Sequence, residues 1–267
     1  MCGICGVLQL DGRPADPTVV EAMAAILVHR GPDQGRVLAD GPCALGNRRL
    51  AILDLSPAGA LPMPTADGAI MVAYNGEIYN YPDLKRRLEA AGVRFRSGSD
   101  AEALLELYRL QGPDALGDLR GMFAFAIWDR DRRRLFLARD RLGQKPLYIY
   151  HDRRVFVFAS EIKALLMHPD VPRQSALTPE RLPLYLGYGY IPAPETPFWG
   201  IQMLPPGHMI IIDADAPQVR PVPYWTPPTA AGPGRADAET LAHHVAAVRE
   251  TLSEAVRLRL LSDVPLG

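Results

Sequence analysis

The apolar residues of this chain fall into short runs that alternate between strand and helix periods, and this pattern constrains the fold most. Strand-like runs cover residues 2–10, 69–74 and 122–128, while helical spacing covers residues 17–27 and 100–111. The runs lack the regular βαβ spacing of a parallel sheet. The sequence therefore predicts an α+β fold with antiparallel sheets.

Two helix starts carry capping signals. Asp16 followed by Pro17 is typical of the residue before a helix and its first helical position. Ser99 precedes the helix predicted over 100–111, and Glu102 follows three residues later. This spacing predicts a capping box, in which each of the two side chains binds a backbone N–H of the other residue.

Charge and cysteine content narrow the function classes. The 267 residues include 29 Lys and Arg against 30 Asp and Glu, a formal net charge of −1 that would not recruit nucleic acid or an anionic membrane. There is no run of about 20 apolar residues and no signal-peptide pattern. Three cysteines are too few for a disulfide framework. We expect a cytoplasmic protein with neither a nucleic-acid nor a membrane partner.

Composition divides the chain near residue 226. Residues 2–225 form one predicted domain, residues 226–237 are a linker rich in proline and glycine, and residues 238–267 begin a second domain. An amphipathic helix is predicted over 238–261, and its apolar face needs a partner to pack on. That face consists of Leu241, Val245, Val248, Leu252, Val256 and Leu260.

Cys2 combines a thiol with an α-amine that becomes free once Met1 is removed. An α-amine has an ordinary pKa of about 8 and a thiol one of about 8.5. The amine can therefore take the thiol proton near neutral pH, as in N-terminal nucleophiles. The alternative is that Cys2 is only a small buried hydrophobic residue.

The tripeptide Asn75-Gly76-Glu77 follows a predicted apolar strand. An Asn side-chain amide and a glycine N–H are a sufficient pair of donors for the oxyanion of an acyl-transfer reaction. Glu77 offers a negative charge for an ammonium group. The alternative is an ordinary Asn-Gly hairpin turn.

Two further charged residues could complete a site for an amino acid. Arg49 could bind a carboxylate through two hydrogen bonds, and Asp100 could bind an α-ammonium. Taken singly, each has a simpler explanation. Arg49 could form a surface salt bridge, and Asp100 could be a helix N-terminal acid favoured by the dipole.

Motifs in a consistent order connect these residues. The stretches MCGICG, HRGPD, RRLAILD, YNGEIYNY and GSD, which begin at residues 1, 29, 48, 74 and 98, resemble class II glutamine amidotransferases. GMFAFAIWD, RDRLGQKPLY and LPPGH, which begin at 121, 139 and 204, resemble the glutamine-hydrolysing asparagine synthetases. RLRLLSDVPLG, from residue 257, is similar to the lead-in to their ATP-pyrophosphatase domain.

The resemblance implies an N-terminal-nucleophile hydrolase fold, a four-layer αββα sandwich of two antiparallel sheets followed by the first helix of an α/β synthetase domain. It implies that L-glutamine is hydrolysed through a thioester on Cys2. The ammonia would then reach a second site, where ATP and Mg²⁺ activate aspartate to give asparagine, AMP and pyrophosphate. The resemblance leaves a homodimer open, and no metal or cofactor is expected within this chain.

The resemblance also implies residue roles. Asn75 and Gly76 are similar to the oxyanion donors, Arg49 to the residue that binds the glutamine α-carboxylate, and Glu77 and Asp100 to those that bind its α-amine. The backbone of Leu50, Ala51, Ile52 and Leu53 would line the same pocket.

Two departures from the family pattern stand out. Many relatives carry His where this chain has Asn47. We expect that change to alter packing or pKa tuning and not to abolish catalysis, because the amine of Cys2 is the proposed base. The serine- and glycine-rich ATP loop would follow Gly267, so this chain alone is expected to hydrolyse glutamine but not to form an adenylate.

Three alternatives remain at this point. Cys2 and Cys5 have C-x-x-C spacing, but a zinc site needs about four ligands and the redox motif belongs beside a βαβ unit. An amidotransferase with another acceptor, such as a β-lactam synthetase-like or tailoring enzyme, would share the same residues. A non-catalytic scaffold is the third alternative, although it has no use for this combination of residues.

Overall fold

The computed structural model describes residues 1–179, 182–229 and 238–265, with side chains from Leu241 onward in the last range. Within these residues, twelve strands form two antiparallel sheets. The strands are β1 (Gly3–Gln9), β2 (Gln34–Asp40), β3 (Cys43–Arg49), β4 (Met63–Pro64), β5 (Ile70–Ile78), β6 (Gly121–Asp129), β7 (Arg134–Arg139), β8 (Tyr148–His151), β9 (Val155–Ala159), β10 (Gln202–Met203), β11 (His208–Asp213) and β12 (Val222–Pro223). The helices are α1 (Pro17–Ala25), α2 (Tyr81–Ala90), α3 (Asp100–Gln111), α4 (Ile162–Leu165), α5 (Leu182–Tyr188) and α6 (Ala238–Leu258).

Three hydrophobic clusters separate four layers. The first sheet has the strand order β10-β8-β9-β1-β3-β2, and the second has the order β12-β11-β7-β6-β5-β4. One cluster lies between the sheets and includes the buried Trp128 and Phe156. Another joins the second sheet to α2 and α3, and a third joins the first sheet to α1 and α4. The predicted αββα sandwich with two antiparallel sheets is confirmed.

Strand alternation brings one set of polar side chains into the space between the sheets. The inter-sheet cluster includes Ile4 and Leu8 of β1, Cys43 and Leu45 of β3, and Met71 and Ala73 of β5. Because successive side chains point to opposite faces, Cys2 and Arg49 lie on the inner side of the first sheet. Asn75 and Glu77 lie on the facing side of the second sheet.

The two predicted helix caps have different outcomes. Asp16 accepts a hydrogen bond from the Thr18 N–H, as expected for an N-cap. The Ser99 hydroxyl accepts one from the Ala101 N–H, but the capping box is wrong. The Glu102 carboxylate instead accepts from the backbone N–H groups of Arg96 and Ser97. The loop before α3 folds back over the first turn of the helix, and Glu102 accepts the hydrogen bonds of the N–H groups in that loop.

Helix α6 leaves its predicted apolar face uncovered. The face residues Leu241, Val245, Val248, Leu252, Val256 and Leu260 are 51–64% exposed. Most of the predicted linker, residues 230–237, lies outside the described residues, so the domain limits stay a prediction. None of the helices in the described ranges combines the length and the apolar character needed to cross a membrane.

Candidate active site

The residues predicted to form a site lie around one cavity at an end of the two sheets. Its lining includes Cys2, Arg49, Leu50, Ile52, Leu53, Asn75, Gly76, Glu77 and Asp100, with Met1, Leu61, Tyr74, Ser99, Met122 and Lys145. Ala51 is the one predicted residue that does not line it. The Ala51 N–H donates to the Asp33 carboxylate at 2.9 Å. Nine of the ten predicted residues therefore meet at one place.

Strand β5 continues straight through Asn75-Gly76-Glu77, so the hairpin-turn alternative is wrong. These three residues pair with Ala124, Phe123 and Met122 of β6. A Cβ atom on Gly76 would lie 2.4 Å from the Met122 carbonyl oxygen and 2.8 Å from the Phe123 Cα atom. Glycine is present because the neighbouring backbone lies too close for a side chain, not because the chain turns.

The N–H groups along the open edge of β5 point toward the cavity side. Strand β4 pairs only with Val72 and Met71, so β5 has no strand partner beyond them on that edge. The Tyr74 N–H donates to Asn47 Oδ1 and the Ile78 N–H to Asp100 Oδ2, both at 2.8 Å. Gly76 lies between them on the same side, because antiparallel residues direct their backbone groups alternately to the two edges.

The backbone groups of Phe123 support this orientation of Gly76. The Phe123 N–H donates to Asp140 Oδ2 at 3.2 Å, and the Phe123 carbonyl accepts from the Asp140 N–H at 2.8 Å. Both groups therefore point away from Gly76, so this cross-strand pair is of the kind that exchanges no backbone hydrogen bonds. The Gly76 N–H is thus directed out of the sheet edge.

Asn75 carries a buried amide donor with no partner. The residue is 1% exposed, and its Nδ2 atom has no hydrogen-bond partner in the described part of the chain. Leaving a buried donor unsatisfied typically costs about 1–3 kcal/mol. Such a group at a cavity wall is a donor already in place for a ligand acceptor.

The Cys2 thiol lies against the backbone of Leu50. The Leu50 N–H points at Sγ with an N···S distance of 3.4 Å, and Sγ is 3.7 Å from the Leu50 carbonyl oxygen. Burial raises the pKa of the Cys2 thiol above its ordinary value. The thiol therefore stays protonated near neutral pH and needs a base to become a nucleophile.

Arg30 fixes the backbone beside the nucleophile, and the sequence analysis did not single it out. Its Nε donates to the Cys2 carbonyl at 2.9 Å, and its Nη1 pairs with Glu161 at 3.0 Å. Multiple hydrogen bonds and salt bridges, which outweigh its burial, lower the pKa of the Glu161 carboxyl to about 2. Arg30 lies in the HRGPD stretch, which contributed to the resemblance but gave no local signal for this contact.

The N-terminal amine and Lys145 share the cavity wall. Lys145 is 5% exposed, and its Nζ lies 3.2 Å from the Met1 Sδ. Burial, helped by the charges of Arg30 and Lys145, lowers the pKa of the Met1 amine. Burial likewise lowers the pKa of the Lys145 ammonium. Lys145 has no periodic or spacing signal in the sequence, because its position depends on a distant loop.

Arg49 is buried and is not the surface salt bridge considered as an alternative. It is 6% exposed, and its Nη2 donates to the carbonyls of Leu53 and Asp54 at 2.8 and 2.6 Å. These contacts curl residues 50–54 around the guanidinium. Arg49 thus holds the loop that forms part of the cavity and also lines the cavity itself.

Two carboxylates give the opposite wall a negative charge. Asp100 is 4% exposed, and its Oδ2 accepts from the Tyr74 hydroxyl at 2.7 Å. Burial raises the pKa of Asp100 despite these hydrogen bonds, and burial also raises the pKa of Glu77. Both carboxylates would be stabilised by a bound cation. Asp100 is also the first residue of α3. A favourable interaction with the helix dipole is therefore compatible with its place in the cavity wall.

Asn47 bridges the two sheets at the edge of the cavity. It is fully buried on β3, and its Oδ1 accepts from the Tyr74 N–H of β5. Tyr74 in turn donates to Asp100, so Asn47 supports the acidic wall. The expectation that Asn47 in place of His alters packing or pKa tuning stays a prediction.

The C-x-x-C alternative has no geometric support. Cys5 lies in the cluster between the first sheet and α1, with its Sγ 3.8 Å from the Val20 carbonyl oxygen. Cys2 faces the other side of the sheet. No group of three or more His, Cys, Asp or Glu in the described ranges could hold a metal ion.

Comparison with known proteins places the chain in a family. A family model described as "Glutamine amidotransferase domain" matches residues 1–225. The chain belongs to the glutamine amidotransferase family. Membership gives glutamine as the substrate of this domain and agrees with the combination of thiol, amide donor and charged walls around the cavity.

Two curated relatives of Bacillus subtilis show the extent of the similarity. Glutamine-hydrolyzing asparagine synthetase 3 is 36% identical over 270 residues, covering 100% of this chain and 42% of that protein. Glutamine-hydrolyzing asparagine synthetase 2 is 37% identical over 232 residues, covering 85% of this chain and 31% of that protein. The chain thus spans less than half the length of these two amidotransferase relatives.

A solved structure supports the fold. Glutamine phosphoribosylpyrophosphate amidotransferase from B. subtilis matches with a TM-score of 0.59 at 22% identity, covering 82% of this chain and 49% of that chain. At this identity the likeness speaks for the fold alone, and it agrees with the N-terminal-nucleophile hydrolase architecture of this glutamine amidotransferase.

Proposed function

We propose that this chain hydrolyses L-glutamine to glutamate and ammonia through a thioester on Cys2. The observation that carries the proposal is the placement of a buried thiol and an unpartnered buried amide on the same cavity as Arg49 and two carboxylates. A purely structural role does not explain why an unsatisfied donor is buried beside a thiol. The scaffold alternative is therefore disfavoured.

The proposed reaction begins once Met1 has been removed. The free α-amine of Cys2 takes the thiol proton, and the thiolate attacks the side-chain amide carbon of glutamine. The Asn75 amide and the Gly76 N–H stabilise the negative oxygen of the tetrahedral intermediate. The protonated amine returns its proton to the departing ammonia. Water then attacks the thioester, with the same amine as base, and releases glutamate.

The charged walls would bind the amino-acid end of the substrate. Arg49 is proposed to bind the α-carboxylate of glutamine, since its guanidinium lines the cavity and can present two N–H donors to one carboxylate. Glu77 and Asp100 are proposed to bind the α-amine, whose charge would compensate their buried carboxylates. The backbone of Leu50, Ile52 and Leu53 would complete the pocket. Ala51 would take part only by keeping the loop attached to Asp33.

We further propose that the chain is the glutaminase part of a glutamine-dependent asparagine synthetase of the cytoplasm. Support comes from the matched relatives, whose names state that activity, and from three free cysteines. The aspartate, ATP and Mg²⁺ of that reaction would bind to a domain begun by residues 238–267, so no step here is assigned to them. These relatives do not favour the alternative of a different acceptor. A homodimer, if formed, would be seen in the native mass.

Ammonia release from L-glutamine is the test of the proposed reaction. The chain with Met1 removed is expected to release one ammonia for each glutamate. D-glutamine should not be hydrolysed, because its α-carboxylate and α-amine cannot bind to Arg49 and to the two carboxylates at the same time. A correctly processed and folded chain that releases no ammonia would contradict the proposal.

The pH dependence of kcat/KM should report the amine. Lys145 lines the cavity beside the N-terminus, and a nearby positive charge disfavours the protonated form of an amine. Lys145→Met is therefore expected to raise the pKa of the Cys2 amine that removal of Met1 exposes, and to shift the acid limb of the profile to higher pH. Lys85→Met, on helix α2 against Tyr81 and Phe95, is the matched control and should leave the profile unchanged. An acid limb that does not shift in Lys145→Met would show that the charge of Lys145 does not affect the pKa of the amine.

A further inference from the structure

The segment after helix α6 is hydrogen-bonded to the loop that forms the floor of the cavity. The Asp263 N–H donates to the Ile52 carbonyl at 3.0 Å, and the Asp54 N–H donates to Asp263 Oδ2 at 2.7 Å. The second bond joins residues that are 209 apart in the chain. We name residues 50–54 the cavity loop and residues 259–264 the tail clamp.

Two other contacts anchor the tail clamp to the folded domain. Leu261 packs on the cluster between the second sheet and its helices. The Arg259 guanidinium lies over the Tyr79 ring at 4.5 Å, directly beyond the end of β5. The clamp is therefore attached at three points, and its placement does not depend on Asp263 alone.

The cavity loop connects the tail clamp to both ends of the proposed glutamine pocket. Arg49 Nη2 donates to the Leu53 and Asp54 carbonyls, so the position of the loop fixes the guanidinium. The Asp54 carboxylate accepts from the Gly98 N–H at 2.7 Å, two residues before Asp100. A displacement at Asp54 would therefore reach both the cationic and the acidic walls.

Asp54 has a backbone conformation that its neighbours must enforce. Its φ is 53°, in the left-handed region that is uncommon for residues other than glycine. Its carbonyl is held by Arg49, its carboxylate by Ser56 and Gly98, and its N–H by Asp263. A strained residue persists when the surrounding structure over-determines it. Among the described residues beyond the linker, Asp263 is the one that supports Asp54.

We propose that Asp263 is a positioning residue for glutamine binding, through which the segment after the linker sets the geometry of the cavity loop. The inference rests on the proposed function, because it takes this cavity as the glutamine pocket. It predicts that glutamine affinity depends on how residues 259–264 are seated. The chemistry at Cys2 is unaffected, because Asp263 touches neither the thiol nor Asn75.

The test compares Asp263→Ala with Asp263→Asn in the full chain. Asp263→Ala is expected to raise the glutamine KM about three- to tenfold while kcat changes less than twofold, since one partly exposed hydrogen bond is lost. Asp263→Asn keeps a side-chain oxygen that can accept from the Asp54 N–H, so its KM should return to within twofold of the unchanged chain. Glu254→Ala is the matched control, because Glu254 bonds to Arg257 within its own helix.

Amide hydrogen exchange separates this inference from the proposed function. Without any substrate, exchange in residues 50–54 should be at least several-fold faster in Asp263→Ala and unchanged in Glu254→Ala. Unchanged exchange would overturn the clamp itself. Faster exchange with an unchanged KM would overturn its role in glutamine binding. A chain that hydrolyses no glutamine in any form would contradict the proposed function and leave the exchange comparison to decide the clamp.

Discussion

Replacing Cys2 with alanine is expected to lower the glutaminase kcat about 10⁴-fold or more, because it removes the thiol that would form the thioester. The variant keeps a small second residue, so Met1 should still be removed and the α-amine should still be present. The fold should also survive, since Cys2 lies at the cavity and outside the three buried clusters. The measurement is the rate of ammonia release at saturating glutamine.

Cys43→Ala is the matched control for this prediction. Cys43 is a buried thiol in the inter-sheet cluster and the first residue of β3. Its replacement removes a sulfur from the core and should cost some stability, but it should leave kcat within about twofold, because Cys43 is not among the residues that line the cavity. Ammonia release retained by Cys2→Ala would show that another nucleophile acts.

Asn75→Ala should be the next largest effect, a loss of about 10²–10³-fold in kcat. Asn75 Nδ2 has no hydrogen-bond partner among the described residues, so the loss of this donor should not lower the thermal midpoint. The KM for glutamine should change far less than kcat, because the donor would act mainly on the oxyanion of the transition state.

Asn80→Ala gives a comparison for Asn75→Ala, because the Asn80 amide does have structural partners. It donates to the Asp118 carbonyl and accepts from the Arg120 N–H. Its loss should lower stability and leave kcat close to its starting value. If Asn75→Ala behaved in the same way, its amide would be structural and the oxyanion role would be excluded.

The sequence predicted the elements of the site better than their local structure. Acyl-transfer chemistry and the family resemblance grouped Cys2, Arg49 and Asn75, and alternation along β1, β3 and β5 explains in the structure why they share one cavity. The sequence could not exclude a turn at Gly76, because the decisive constraint is the close approach of Met122 from β6. The Asn-Gly dipeptide by itself does not indicate a cross-strand contact of that kind.

The residues that the sequence did not reveal all act across long separations. Arg30 and Lys145 reach the N-terminus from other loops, and Asp263 reaches the cavity loop from beyond the linker. The Glu102 capping box failed for a local reason, since the loop at Arg96 and Ser97 just before α3 competed for the carboxylate. Periodicity and spacing report neighbours along the chain, whereas these contacts depend on the finished fold.

The most direct measurement is the intact mass and site of labelling of active protein treated with a diazoketone analogue of glutamine. We expect one label per chain, on Cys2 as the N-terminal residue with a free α-amine after removal of Met1. Activity should be lost in proportion to labelling. Full activity in protein that retains Met1 or has a blocked amine, or labelling on Cys5 or Cys43, would contradict it.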